Sequence, residues 1–460
     1  MKKLFHPFRA LLIVLATVSV TLSANAEQQS VNEDQHVIII SIDGFPADAL
    51  WDKRIPLPAI RSLAEDGAWA NAMIPSTPTV TWPNHTSIVT GVHPEKHGVL
   101  TNGLFIRPSD GTPIYRENDV DREELTSYPA LYDIAHENGL LTAEVNWPVT
   151  RNAVTLDYSF PDAVDPVAHT TPELRSELIE LGILEDESEE AFRIGAVGRD
   201  YIWTKAATHL IKTRQPSLLL FHLLNVDGSH HGHGAQSNPG NTALAYADAN
   251  IRMILDALDE AGIRDQTTIF LVSDHGFMNV TNRVQPNVLL RDNGLLEVDE
   301  EGNIVSGRVQ VFSNGGSAMV FATNPETKDE DLEKARSLFE GAEGIARVLG
   351  PDEYESHGLP QPSENESMGD LVLGADNGYA FINAAGGEEY IVPVNGIYGT
   401  HGYFSDVPEM ETIFIASGRG IRSGLEIGTV DNRSVAPTAA TLLGLVLETA
   451  EGDILDEILE

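Results

Sequence analysis

Residues 36–42, HVIIISI, constrain the fold of this chain more than any other segment, because a nearly uninterrupted apolar run rich in β-branched residues suits a strand buried on both faces. Such a strand needs helices above and below it, and the sequence supplies them. Comparable runs occur at 217–224 (SLLLFHLL), 267–272 (TTIFLV) and 411–416 (ETIFIA). Helical spacing of apolar residues covers 58–66, 201–212 and 241–261, with a further helix at 437–447. Strands alternating with helices predict an α/β sandwich, a central and mostly parallel sheet flanked by helices. The stretch from about 285 to 395 breaks the rhythm, with turn residues and charge clustered at 324–333 and 351–370, so we read it as an inserted cap or subdomain.

The first 26 residues place Lys2, Lys3 and Arg9 around the start of an apolar stretch at 10–20 and end in Ala24-Asn25-Ala26, the layout of a cleaved signal peptide. The apolar stretch is short for a spanning helix, and no Cys follows the cleavage site to carry a lipid. The expectation is a mature catalytic domain at 27–460 that is periplasmic or secreted, with no stable membrane anchor after signal cleavage.

The chain has no cysteine, so thiolate nucleophiles, disulfides and Cys-ligated metal centres are excluded. Any bound metal must use His, Asp, Glu or oxygen ligands. With 69 acidic against 29 basic residues the formal net charge is −40. That surface repels nucleic-acid backbones and argues against sequence-specific nucleic-acid binding. It leaves room for a small anionic substrate, because metal ions in a pocket reverse the local potential.

Asp43 closes the first apolar run, Asp227 and His231 follow the second, Asp274-His275 follows the third, and His401 lies in GTHGYFSD just ahead of the fourth. Ligands of open α/β sheets bind beyond the carboxyl ends of the strands, so the three clusters that follow strands converge on one pocket. Each alone admits a structural role. Asp43 can serve a turn beside Gly44, the glycine-rich run from Asp227 to Gly234 can be a solvated His-rich loop, Asp274-His275 can satisfy a strand end, and His401 can be an ordinary loop histidine. We read the glycines of the second cluster as letting the backbone fold tightly around the imidazoles. Together the clusters offer hard carboxylates and neutral imidazoles, a set suited to zinc or a similar divalent ion. A further segment, 76–91, places Thr81 ahead of Trp82-Pro83 and a stretch able to start a helix. A hydroxyl there meets the positive end of the helix, which favours bound phosphate or a developing alkoxide; ordinary N-capping by threonine is the alternative.

Taken together, these residues resemble the alkaline phosphatase superfamily, and more closely its nucleotide pyrophosphatase/phosphodiesterase (type I phosphodiesterase) branch. The resemblance rests on Asp43-Gly44, on Thr81-Trp82-Pro83-Asn84-His85 with Thr90-Gly91, and on Pro94-Glu95-Lys96-His97-Gly98 with Asn102. It continues through Asp227, His231 and Gly234, then Ser273-Asp274-His275-Gly276, and His401-Gly402-Tyr403. It implies an alkaline-phosphatase-like sandwich and two divalent metal ions, with Zn2+ expected. One ion would be held by Asp227, His231 and His401, the other by Asp43, Asp274 and His275 with Thr81 as a further oxygen ligand. Thr81 would be the nucleophile, Asn102 and the Thr81 amide would grip a non-bridging oxygen, and water would hydrolyse a phosphothreonine. His230 and His233 fall off the ligand spacing and are read as neighbours that orient ligands or bind elsewhere.

The substrate implied is a small phosphodiester or nucleotide pyrophosphate. A monoester carries one more negative charge and commonly recruits an Arg or Lys clamp, whereas the only basic candidates near Thr81 and Asn102 are Lys96 and Arg107. The alternatives are a phosphonoacetate-type phosphonate hydrolase, a phosphomonoesterase and, in a different class, a metal-dependent binding protein with a dead core. The last would need a ligand or the nucleophile to be missing, and none is.

Overall fold

In the computed structural model, which describes residues 31–108, 113–188 and 192–460, every residue of the strand His36–Ile42 is buried. Its side chains alternate between two cores: Ile38, Ile40 and Ile42 enter one, Val37 and Ile39 the other. Two-sided burial puts this strand inside an eight-stranded sheet, in the order 425–431, 68–74, 414–418, 267–272, 36–42, 218–223, 142–145 and 158–160. The strands run the same way except Phe414–Gly418, which pairs antiparallel with both neighbours. Helices Pro58–Asp66, Ala196–Thr213 and Asn238–Ala261 bury their apolar stripes against one face. Thr81–Thr90, Leu131–Glu137 and Val435–Leu442 cover the other. The observed architecture is therefore the expected mostly parallel, alkaline-phosphatase-like sandwich. The expected leader at 1–26 lies outside the described residues.

Register explains why the functional clusters meet. Ile42 pairs with Leu223 and Ser41 with Val272, so three neighbouring strands end level with one another. The residues that follow them emerge along one edge of the sheet.

Several element boundaries differ from the sequence reading; the helix read at 201–212 begins at Ala196 and that read at 241–261 at Asn238. The apolar run near 411 becomes a ladder strand only at Phe414, because Thr412 makes isolated bridges to Pro46 and Met73 instead. The last helix ends at Leu442, short of the apolar residues Leu443, Leu445 and Leu447 that nevertheless join the core.

The stretch 285–395 is more regular than its turn signals suggest. It contains helices Pro286–Asp292 and Lys328–Phe339 and a four-stranded antiparallel sheet, ordered 309–313, 317–322, 371–375 and 345–349. Val320, Phe339 and Leu373 belong to an apolar core of its own. Strand Tyr379–Phe381 pairs with Met278–Val284, which also pairs with Ile391–Thr400, and the latter delivers the chain directly to His401.

Candidate active site

The turn after the central strand is fixed by sterics. Gly44 has φ 69°, and a Cβ there would lie 2.7 Å from the Phe277 ring, so only glycine makes this turn unstrained. The Gly44 N–H donates to Asp274 Oδ1 at 3.2 Å and the Phe45 N–H to Ser273 Oγ at 2.9 Å. These two bonds tie the ends of neighbouring strands together and bring the Asp43 and Asp274 carboxylates side by side.

The segment that starts at Asp227 corrects one reading: Asn225–His233 is a helix, not a loop folded by its glycines. A Cβ at Gly228 or Gly232 would meet open space, so these glycines do not shape it. The buried Asp200 carboxylate accepts the N–H groups of Leu224 and Asn225 at 2.9 and 3.1 Å and anchors the helix start. The i,i+4 spacing then sets Asp227 and His231 on one face, with Asp227 Oδ1 3.3 Å from His231 Nε2. His401 Nε2 approaches the same oxygen at 3.6 Å.

The imidazoles share one orientation. His231 Nδ1 donates to Gly399 O at 2.9 Å, His401 Nδ1 to Thr79 O at 2.9 Å, and His275 Nδ1 to Gly276 O at 3.1 Å. A carbonyl can only accept, so each Nδ1 carries the proton and each Nε2 turns a lone pair toward the carboxylates. His275 Nε2 lies 3.3 Å from Asp43 Oδ1, 3.2 Å from Asp274 Oδ2 and 3.5 Å from Thr81 Oγ1. Asp43 Oδ1, Asp227 Oδ1 and Asp274 Oδ2 are buried without a hydrogen-bond donor. Lone pairs facing lone pairs in a buried site call for cations, and these are the donors divalent ions take. Two groups could each hold one, Asp227–His231–His401 and Asp43–Asp227–His275, with the ligand atoms of each group within 4.8 Å of one another. Asp227 is thus in reach of both positions, and Asp274 joins the second through its contact with His275.

The electrostatics match that donor set. Burial pushes the Asp43 and Asp274 carboxyls well above the usual range, and repulsion from Asp227 on Asp43 and from Asp43 on Asp274 adds to it. Burial drives His275 well down and His401 down to about 4, which keeps both rings neutral as metal ligation requires. Burial opposes the Asp227 anion as well, and only charged imidazoles at His231, His401 and His230 would draw its carboxyl below the ordinary range.

Thr81 is the first residue of its helix. Val80 occupies the N-cap position and no side chain caps the helix, so the Thr81 hydroxyl is not engaged in capping. Asn102 Oδ1 accepts the Trp82 N–H at 2.9 Å, which sets the Asn102 amide against the N-terminal turn beside Thr81. Asn84 braces the preceding turn: its Nδ2 donates to Pro78 O and Val80 O at 3.0 Å, while its Oδ1 accepts from Ser76 N and Asn432 Nδ2.

Of the flanking histidines, buried His230 donates from Nδ1 to Gly44 O at 3.1 Å and so supports the Asp43 turn, while His233 is exposed. Lys96 is exposed, and Arg107 is committed elsewhere, with Nη2 donating to Met368 O at 2.5 Å and Nη1 3.6 Å from Asp370 Oδ2. Sequence reasoning passed over Arg116 and His222, and it quoted His85 within the Thr81 motif without giving it a role. Arg116 donates to Thr101 Oγ1 at 3.2 Å, next to Asn102. His222 lies 3.2 Å from Asp43 Oδ2, and His85 lies edge-on to His222 at 4.4 Å between ring centroids. A histidine inside the apolar run SLLLFHLL was the signal that could have found His222.

Known proteins share this arrangement of sequence. Human ectonucleotide pyrophosphatase/phosphodiesterase family member 1 is 25% identical over 91% of this chain, and family member 7 from Mus musculus is 23% identical over 96% of it. The chain spans 42% of the human protein's length and 90% of the mouse protein's. Among solved structures, murine ectonucleotide pyrophosphatase/phosphodiesterase 5 has the same fold, with a TM-score of 0.70 at 17% identity over 93% of this chain and 100% of that one. An inactive form of that murine protein has been solved in complex with AMP. Residues 37–404 match the family model described as Type I phosphodiesterase / nucleotide pyrophosphatase, and the chain belongs to that family.

Proposed function

We propose that this protein hydrolyses phosphodiester or nucleotide pyrophosphate bonds outside the cytoplasm, by attack of Thr81 on phosphorus within a two-metal site. The observation that carries the reading is a cluster of buried, donorless carboxylate oxygens and imidazole Nε2 atoms with the Thr81 hydroxyl 3.5 Å from His275 Nε2. Asp227, His231 and His401 would hold one ion, and Asp43, Asp274 and His275 the other, with Thr81 beside it. Zinc suits these donors, with manganese and cobalt as competitors. When bound, two such ions supply a positive field that eases ionisation of a hydroxyl and neutralises charge on a transferring phosphoryl group.

The chain's own residues account for the rest. Thr81 Oγ1 gives its proton to solvent and forms an O–P bond while the bond to the leaving group breaks, the departing oxygen taking a proton from water; water then attacks phosphorus of the phosphothreonine, restores the hydroxyl and releases the phosphoryl product. At the first position of its helix, Thr81 holds the phosphoryl group at the positive end of the helix dipole, which favours anions. Asn102, with Oδ1 tied to the Trp82 amide, offers Nδ2 to a non-bridging oxygen where charge grows in the transition state.

A diester or pyrophosphate suits the site better than a monoester, since Lys96 is exposed and Arg107 is bound to Met368 and Asp370. Arg116, which has no carboxylate partner among the described residues, supports a substrate carrying a second phosphate. The AMP complex of the murine relative supports a nucleotide. The layout of residues 1–26 supports export, and N-terminal sequencing of the exported protein should find cleavage after Ala26.

The test is a kinetic panel of bis-p-nitrophenyl phosphate, p-nitrophenyl phosphate, a dinucleoside pyrophosphate and phosphonoacetate under excess zinc. The diester and the pyrophosphate should turn over faster than the monoester. A monoester preference would make the protein a phosphomonoesterase, turnover of phosphonoacetate alone a phosphonate hydrolase, and inactivity on all four a binding protein.

A further inference from the structure

The two candidate metal positions are supported by different kinds of group. In the Asp227 position, His231 and His401 lean on the main-chain carbonyls of Gly399 and Thr79. In the Asp43 position the carboxylate itself leans on a side chain, His222. His222 lies on strand Leu218–Leu223, where it pairs in register with Ser41, and this pairing brings its ring under the turn that starts at Asp43. The residue is 1% exposed.

Its Nε2 lies 3.2 Å from Asp43 Oδ2, and the other oxygen, Oδ1, has no donor and faces His275 Nε2 at 3.3 Å. Asn146 Nδ2 can only donate, so a bond from it to His222 Nδ1 leaves the ring proton on Nε2, where it donates to Asp43 Oδ2; we assign that tautomer. On the far side, His222 Nδ1 lies 3.1 Å from Asn146 Nδ2 and 3.0 Å from Asn146 O. Asn146 Nδ2 also donates to His222 O at 3.2 Å, which locks the two residues together. Asn146 holds φ 59°, a left-handed conformation that Asn tolerates better than most residues, with its N–H donating to Phe160 O at 2.7 Å. The edge-on ring of His85 packs against His222, while its Nδ1 donates to Thr81 O at 2.8 Å. His222 is therefore clamped on three sides and presents one donor to one metal-facing carboxylate.

We propose that His222 is a positioning residue that engages one oxygen of Asp43 and so aims the other at the buried metal position, with Asn146 fixing the ring. The proposal rests on the two-metal reading above. Metal affinity at the Asp43 position should depend on His222, and affinity at the Asp227 position should not.

The experiment titrates metal-free protein with zinc against a chelating indicator and follows thermal unfolding of the same metal-free samples. The wild type should take up two ions. His222→Phe keeps a ring of similar size and loses the donor, so it should bind one ion as the wild type does and the other 10–100-fold more weakly, the range typical for loss of a group that orients a ligand, with Tm of the metal-free form undiminished. His222→Gln, which returns an N–H donor, should recover most of that loss. Wild-type affinity for both ions in His222→Phe would overturn the proposal, and so would equal weakening of both sites with a lowered metal-free Tm, the signature of a packing role. Fewer than two ions on the wild type would instead overturn the two-metal reading. If His222→Phe does not fold, Asn146→Gly keeps the left-handed backbone and removes the clamp on Nδ1. It should weaken the same single site several-fold, and unchanged binding would overturn the proposal.

Discussion

The Asp43–Asp274–His275 position and the Asp227–His231–His401 position use the same donors on different scaffolds. In the first, the three side chains are 0–1% exposed, and they issue from strands that end level inside the central sheet. In the second, the His231 side chain is 33% exposed, its helix is anchored by Asp200, and His401 arrives only after the chain has passed through 285–395. Within that stretch the Gly316 N–H donates to His401 O at 2.8 Å. Burial opposes the carboxylate anion in both places. At Asp43 and Asp274 repulsion from neighbouring carboxylates adds to it, whereas Asp227 is surrounded by imidazoles. A buried site with excess carboxylate depends on a cation to offset its repulsion, and an imidazole-rich one depends on it less.

Thr81→Ala separates chemistry from metal holding most sharply. It removes an atom that stands beside the buried position, 3.5 Å from His275 Nε2, while every carboxylate and imidazole remains. Turnover of the preferred diester should fall by roughly 10⁴-fold or more, as expected for loss of a nucleophile, while elemental analysis finds both ions in place. Near wild-type turnover would remove Thr81 from the chemistry.

A matched pair of variants tests whether the two positions are independent. Asp274→Asn keeps the oxygen that accepts from Gly44 N–H and removes the charge, and it should empty the buried position, with a loss in affinity of about 10²-fold or more. His231→Ala should empty the open position and leave the buried one filled. Metal content after dialysis reads both. Loss of both ions from either variant would show that Asp227, in reach of both groups, couples them into one unit.

Half of this contrast was legible in the sequence. The strands at 36–42 and 267–272 match to the residue because an apolar run covered on both faces has no other stable place, and their terminal aspartates then fall at the sheet edge by geometry. The open half was harder to read. The helix Asn225–His233 has too many glycines and histidines for an apolar stripe, and its start is stabilised by Asp200, distant in sequence. The antiparallel strands between 309 and 375 are short and interrupted by a helix, so turn residues dominate their pattern. His222 was concealed for the opposite reason: a single polar residue in an apolar run is averaged away unless one asks what satisfies it. Asn102 was legible only through the family resemblance, and its hold on the Trp82 amide is a long-range contact that no local pattern encodes.

The support beneath the buried position extends one step further, to Glu144, and there it becomes measurable as a pH dependence. Glu144 lies on strand Thr142–Val145, fully buried, where it accepts the Trp147 N–H at 2.9 Å and a hydrogen bond from Ser159 Oγ. It thereby fixes the turn that carries Asn146. Burial pushes its carboxyl from about 4.5 up to about 8, against the lowering effect of those hydrogen bonds. The folded protein therefore holds a proton on Glu144 between those values that the unfolded chain has released. The stability contributed by this group is complete below pH 4.5 and declines as pH rises through about 8, at about 1.4 kcal/mol per pH unit if nothing else titrates. Glu144→Gln keeps the neutral shape at every pH. The variant should gain stability over the wild type progressively from pH 5 to pH 8, by on the order of 2–4 kcal/mol at the upper end, with metal content unchanged. Urea denaturation at pH 5.5 and pH 8.5 checks it. Parallel pH profiles for the two proteins would place the proton elsewhere in the buried layer.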